Sequence, residues 1–213
     1  GTTLPGAGDT VHSGGFTVTI DQDITVLYLT TAGGASAPTV PGGGGFTLAA
    51  FSGTRTLNTA IDNLKATTTA LTVPATFTGT LNINGYVKGG SAGYALLVST
   101  SVTCTINIVG DVTSGTNNSA PGVVVQSGIT MTIVGDVTGL ATFGGNHGIT
   151  WPAAGGSLTV TGDVLVLANN KHGIDGNFGS LTVIGDLYGS PVYNTGQPAY
   201  AVRSTNTASV GDI

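Results

Sequence analysis

Charge is what this 213-residue chain has least of: Lys plus Arg total 5, Asp plus Glu total 10, and the charged fraction is 7%. There is no Glu, so every acidic side chain is an Asp. Five basic residues scattered from Arg55 to Arg203 cannot form the cationic cluster that displaces counterions from phosphates, which excludes a nucleic-acid partner. Cysteine is nearly absent as well. Cys104 alone permits no intrachain disulfide, and within the alternation Val102, Cys104, Ile106, Ile108 it reads as a small buried hydrophobe. Long apolar runs are missing: the longest, Val164 to Ala168, has the length of a strand, so no membrane insertion is expected. The chain opens at Gly1 with neither a basic nor a hydrophobic leader segment, and any leader is expected to have been removed.

Against these shortages, Gly and Thr each number 36 and 40% of residues are hydrophobic, too many for a disordered chain. Thr suits strands, Gly and Asp suit turns, and all three disfavour helix interiors. A nearly all-β protein is expected. With a formal charge of only −5, solubility must come from hydroxyl and amide groups, as in proteins that work outside cells or in assembled particles.

One pattern organises the chain. It stands as Leu81-Asn-Ile-Asn-Gly-Tyr-Val87, Ile106-Asn-Ile-Val-Gly-Asp-Val112, Met131-Thr-Ile-Val-Gly-Asp-Val137, Leu158-Thr-Val-Thr-Gly-Asp-Val164 and Leu181-Thr-Val-Ile-Gly-Asp-Leu187, and Val210-Gly-Asp-Ile213 begins a sixth copy. The glycines Gly85, Gly110, Gly135, Gly162, Gly185 and Gly211 are spaced by 25, 25, 27, 23 and 26 residues. A second pattern keeps step: Tyr94-Ala-Leu96, Pro121-Gly-Val123, His147-Gly-Ile149, His172-Gly-Ile174 and Tyr200-Ala-Val202. Weaker echoes run towards the N-terminus, where Leu57 to Ile61 matches Ile83 to Val87 and Phe46-Thr-Leu48, Leu71-Thr-Val73 and Leu96-Leu-Val98 stand 25 apart.

A period near 25 with short alternating strands suits one coil of a parallel β-solenoid. The expectation is an all-β, right-handed parallel β-helix of about eight coils of ~25 residues, in one domain over 1–213. Within it, 1–30 form an N-terminal coil or cap, 32–45 a Gly- and Pro-rich inserted loop, and 46–213 regular coils. Alternate apolar residues such as Leu81, Ile83, Ile106 and Ile108 should point inwards and their neighbours outwards.

Stacking converts each repeat position into a row along the rod. The Gly-Asp row holds Asp111, Asp136, Asp163, Asp186 and Asp212, joined by Asp23 on alignment. Carboxylates ~5 Å apart repel by on the order of 1 kcal/mol even in water, so the row must face solvent, accept backbone N–H bonds or hold a cation. The expected role is turn closure. A calcium ladder is the alternative, but the nonapeptide Gly-Gly-x-Gly-x-Asp pattern of calcium-binding β-rolls is absent. The second row, Tyr94, Pro121, His147, His172 and Tyr200, sets two imidazoles on consecutive coils. No Cys or Glu joins them at repeat spacing, so stacking of flat rings is expected rather than zinc binding, and no cofactor is anticipated. A third row pairs Thr80 with Asn82, Thr105 with Asn107, Thr130 with Thr132, Ser157 with Thr159 and Ser180 with Thr182. Such Thr-x-Thr ladders resemble ice-binding proteins, but Asn and Ser interrupt the threonines here, and a hydrated strand face is the expectation.

Catalysis has little to draw on. Outside the Gly-Asp row only Asp9, Asp21, Asp62 and Asp175 remain, whereas cleavage of a glycosidic bond needs two carboxylates held on one surface. Asp175 beside Lys171 and His172 is the one local ionisable cluster and, with His147, marks a surface contact. The chain is not expected to be an enzyme.

The opening Pro5-Gly-Ala-Gly-Asp-Thr-Val11 followed by Phe16-Thr-Val-Thr-Ile20 resembles the first turn of right-handed parallel β-helix proteins. The recurring Ile-Val-Gly-Asp-Val units resemble repeats of phage fibre or spike proteins and bacterial surface proteins. That resemblance implies a structural, adhesive component of a virion (a phage fibre, spike or decoration protein) or of an extracellular or cell-surface assembly. Its partners would be other subunits, in a homo-oligomer or fibre, and a cell-surface glycan. The alternatives are a carbohydrate-binding or carbohydrate-cleaving β-helix and, behind both, an ice-binding protein. Nothing after Tyr200 resembles a cap, so the last coil is expected to be open and covered by a further segment or another subunit.

Overall fold

The computed structural model describes residues 5–14, 16–31, 44–63, 69–90, 93–115, 121–140, 147–167, 172–189 and 200–204. Among them every regular element is a strand, and every strand pairing is parallel. The chain is a parallel β-solenoid. Each coil contributes a five-residue strand to a first face, a short strand after the Gly-Asp corner to a second face, and a three-residue strand to a third. One coil runs Thr80–Asn84, Val87–Lys88, Leu96–Val98, and the next Thr105–Val109, Val112–Thr113, Val123–Val125.

The first and second faces belong to one 13-stranded sheet, because the nine-residue strand Thr54–Asp62 pairs with Thr80–Asn84 through its first half and with Val87–Lys88 through its second. The third face is a separate sheet of eight strands, from Val18–Ile20 to Val202–Ser204. The N-terminal echoes are real coils: Leu57 pairs with Ile83, Ile61 with Val87, and Phe46 with Leu71.

About six turns are regular, fewer than the eight that length divided by period suggested. From Phe46 to Val202 the third face repeats at 46, 71, 96, 123, 149, 174 and 202. Before that the chain is irregular: Ile24 pairs with Leu57, 33 residues on, and the register shifts between Thr25 and Tyr28. The anticipated loop at 32–45 lies outside the described residues as far as 43, as does 205–213, which holds Gly211, Asp212 and the expected open end.

Alternation decides what is buried. In Leu71–Val73, Leu96–Val98 and Ile149–Trp151 the outer two residues point inwards and the middle one outwards. On the first face Leu81, Ile83, Ile106, Ile108, Met131, Ile133, Leu158, Val160, Leu181 and Val183 all sit in one continuous core, with Cys104, Phe77, Trp151 and Phe178. At the corner, Gly135 has φ 152°, and a Cβ there would stand 2.5 Å from the Gly110 carbonyl oxygen. Only glycine allows the coils to stack that closely.

Candidate functional site

Two rows of chemistry-bearing side chains share one device: a side chain on one coil accepts a backbone N–H from the next, carrying the hydrogen-bond ladder round a corner where strands stop. In the Gly-Asp row Asp111 Oδ1 accepts the N–H of Asp136 (3.0 Å), Asp136 Oδ1 that of Asp163 (2.8 Å) and Asp163 Oδ1 that of Asp186 (2.9 Å). The carboxylates thus tie successive turns together rather than closing their own turn. Each keeps its second oxygen for solvent or another donor; that of Asp186 takes the Tyr188 hydroxyl. Asp23 is not part of this row. The pairing of Ile24 with Leu57 puts it beside Thr56, whose N–H it accepts at 2.9 Å.

The second row works in the same way with imidazoles. His147 and His172 stack with ring centroids 5.1 Å apart and planes 10° from parallel, and Tyr200 continues the stack at 5.7 Å and 16°. His147 Nδ1 accepts the N–H of His172, and His172 Nδ1 that of Tyr200, both at 3.1 Å. With Nδ1 occupied as an acceptor, each neutral ring carries its proton on Nε2. This geometry argues against zinc. Ring-plane lone pairs of two parallel imidazoles do not converge on one ion, and no group of three potential metal ligands exists among the described residues.

Asp175 joins this corner. It is the middle, outward residue of Ile174–Gly176, in register with Thr150 on one side and Arg203 on the other. Arg203 grips it through Nε to Oδ1 (2.7 Å) and Nη2 to Oδ2 (2.6 Å), while His147 Nε2 stands 3.3 Å from Oδ2. His147, His172 and Asp175 therefore do come together, with Arg203 as the member the local sequence did not reveal, because it lies 28 residues from Asp175. Lys171 lies outside the described residues. Burial pushes the His147 imidazole down to about 4; the Asp175 charge opposes that shift, and the charges of His172 and Arg203 reinforce it. Burial raises Asp175, but the Arg203 hydrogen bonds and the neighbouring positive charges outweigh it and hold the carboxyl below its ordinary value.

The first face presents a different surface. Its outward residues form three rows in register: Thr54, Thr80, Thr105, Thr130, Ser157, Ser180; Thr56, Asn82, Asn107, Thr132, Thr159, Thr182; and Asn84, Val109, Val134, Thr161, Ile184, the last extended to Asn58 by a side-chain bond. None is charged or aromatic. Amides link along the rod, Asn107 Nδ2 to Asn82 Oδ1 at 2.9 Å and Asn84 Nδ2 to Asn58 Oδ1 at 2.7 Å.

Three further features have no signature in the repeat. Arg55 is in register with Leu81, so it occupies a core position; its guanidinium lies 4.4 Å over the Phe51 ring and 3.5 Å from Asp23 Oδ1. Asp62 is buried and accepts the Tyr86 hydroxyl at 3.0 Å; burial first, then the Asp62 charge and this bond, raise the phenol. Ser114 Oγ accepts the Leu140 N–H at 2.7 Å and donates to the Leu140 carbonyl, another corner acceptor. No family model, no curated protein and no solved structure matches this chain.

Proposed function

We propose that this chain is a structural and adhesive β-solenoid, a fibre, spike or decoration protein of a virion or a component of an extracellular assembly, without catalytic activity of its own. The observation that carries the reading is how the described ionisable groups are engaged. Asp111, Asp136 and Asp163 bind backbone N–H groups of neighbouring coils, His147 does the same, and Asp175 is held by Arg203. Groups used to hold coils together are poor acids, bases or nucleophiles, whereas a stiff rod with an uncharged face suits contact and assembly. Its partners would be further subunits and a neutral cell-surface glycan. The test has two arms: sedimentation of the native protein, expected to show an oligomer or fibre, and incubation with a polysaccharide panel, expected to release no reducing ends or unsaturated sugars. Sugar release abolished by Asp175→Ala would establish a carbohydrate-cleaving enzyme instead.

A second reading, ice binding, is favoured by the register of the first face. Coils repeat at about 4.8 Å and outward residues along a strand at about 6.7 Å. Tetrahedral water joined by O–H···O bonds of about 2.75 Å has second-neighbour oxygens about 4.5 Å apart and a layer repeat of about 7.3 Å. The two lattices stay within a fraction of a bond over three or four coils, and the face, hydroxyl and methyl groups with amides at Asn58, Asn82, Asn84 and Asn107, carries no charge. Thermal hysteresis that disappears on replacing Thr132 and Thr159 by tyrosine, with the fold retained, supports this reading; its absence from the unaltered protein removes it.

A further inference from the structure

Two histidines occupy positions where the solenoid needs an acceptor, and a histidine is an acceptor only while it is neutral. The N–H groups of His172 and Tyr200 end on His147 Nδ1 and His172 Nδ1. The preceding residue of the row, Pro121, has no side-chain acceptor to offer the next coil, so the imidazole ladder begins at His147. We propose that the His147–His172–Tyr200 column is an acid-operated latch, which holds the corner of these three coils closed at neutral pH and lets it open when protons occupy the Nδ1 positions.

The chemistry is a proton transfer from solvent to Nδ1. The lone pair that accepted an amide N–H becomes an N–H bond facing that amide, and the hydrogen bond becomes a donor against a donor at the distance where it used to close. The ring cannot readily turn aside, because His147 is stacked on His172 and His172 on Tyr200, and both histidines are buried. Among the described residues, the groups facing His147 are Asp175 from Ile174–Gly176, His172 from the next coil and Arg203 from Val202–Ser204. Asp175 would welcome a charged imidazole, but Arg203 already holds both of its oxygens. The other corners are built differently. Among the described residues, the Asp and Ser ladders use oxygen acceptors, and a carboxyl keeps an acceptor oxygen whether or not it carries a proton, so it is the histidine column whose acceptor a proton removes.

The inference is independent of the proposed function and concerns local opening. With the His147 midpoint depressed to about 4 from an ordinary value near 6.5, the closed corner is fully stable above pH 6.5 and loses stability as pH falls towards 4. The opening equilibrium should grow about tenfold per pH unit across that window for each proton taken up.

Amide hydrogen exchange on the full chain between pH 7 and 4.5, corrected for intrinsic rates, tests it. Protection at the His172 and Tyr200 amides is expected to fall with pH, while that at Ile106 and Ile133 stays constant. In the double variant His147→Asn, His172→Asn, a side-chain carbonyl can accept the same N–H groups without titrating, and the pH dependence at Tyr200 is expected to vanish. Should that variant not fold, imidazole nitrogen shifts of the unaltered protein serve instead, with Nε2 protonated and Nδ1 bare at neutral pH. Protection at His172 and Tyr200 independent of pH, an Asn variant with unchanged pH dependence, or a neutral-pH proton on Nδ1 would each overturn the proposal.

Discussion

Asp136 Oδ1 accepts the backbone N–H of Asp163 at 2.8 Å, across 27 residues of sequence, and the contact repeats from Asp111 to Asp136 and from Asp163 to Asp186. It explains how a row of like charges is tolerated: each carboxylate meets the positive end of a peptide dipole in the next coil before it meets the next carboxylate. A charge-assisted bond of this kind outweighs the on the order of 1 kcal/mol repulsion between solvated neighbours.

Replacing Asp136 by Ala should therefore destabilise the protein by about 1–2 kcal/mol, the range for a hydrogen bond to a charged acceptor at a partly exposed site. Asp136→Asn retains an acceptor oxygen and should cost less. Chemical denaturation of both variants measures the difference; equal losses would mean that the acceptor is not what matters.

Gly135→Ala should be much worse than a surface alanine usually is. The residue must keep φ near 152°, and its new Cβ would lie 2.5 Å from the Gly110 carbonyl oxygen. A loss above about 2 kcal/mol is expected, as strain and local separation of two coils combine. Thermal unfolding with a midpoint within a degree of the parent would contradict the close stacking.

Arg55 gives a prediction of the opposite sign. Its register with Leu81 puts a cation where other coils carry an aliphatic, and its partner Asp23 is a distant 3.5 Å away. Arg55→Leu should be neutral or stabilising within about 1 kcal/mol, because desolvation of the ion offsets the pairing, whereas Arg55→Ala should cost about 2–3 kcal/mol by leaving a cavity against Phe51. Denaturation curves of the pair separate the two effects.

Arg203→Ala tests the electrostatics of the histidine corner by proton titration. Removing a cation near His147 should raise its midpoint from about 4 towards the ordinary value, and removing the donor to Asp175 should raise that carboxyl as well. A depressed carboxylate stabilises the fold above its unfolded pKa and loses that contribution as pH falls through the folded one, so the variant should be the less stable above pH 4. Arg203 is half exposed, so the loss should stay under about 1 kcal/mol. NMR titration of the imidazole reports the first shift directly.

Much of the architecture was legible in the residues themselves. The alternation in Leu81, Ile83, Ile106 and Ile108 specified inward and outward faces, because a strand has a period of two, and the recurrence of Gly-Asp every 25 or so residues specified stacked coils, because each stacked corner needs the same backbone conformation. The stacking of His147 on His172 followed from that period alone. Register is local information repeated, so it survives in sequence.

Bonds between unlike residues on neighbouring coils do not. The grip of Arg203 on Asp175, the placement of Arg55 in the core line of Leu81, and the burial of Asp62 beneath Tyr86 each span about one coil, but none of these residue types recurs in its row, so the period alone does not announce them. The coil count also fell from eight to about six, since the irregular pairing of Ile24 with Leu57 consumes length without adding a regular turn. The direction in which each Asp and His acceptor points was likewise decided only by tertiary structure. A side chain at a corner can bond within its own turn or to the next coil, and the ~4.8 Å separation of stacked coils, together with the orientation of the next N–H, selects the second.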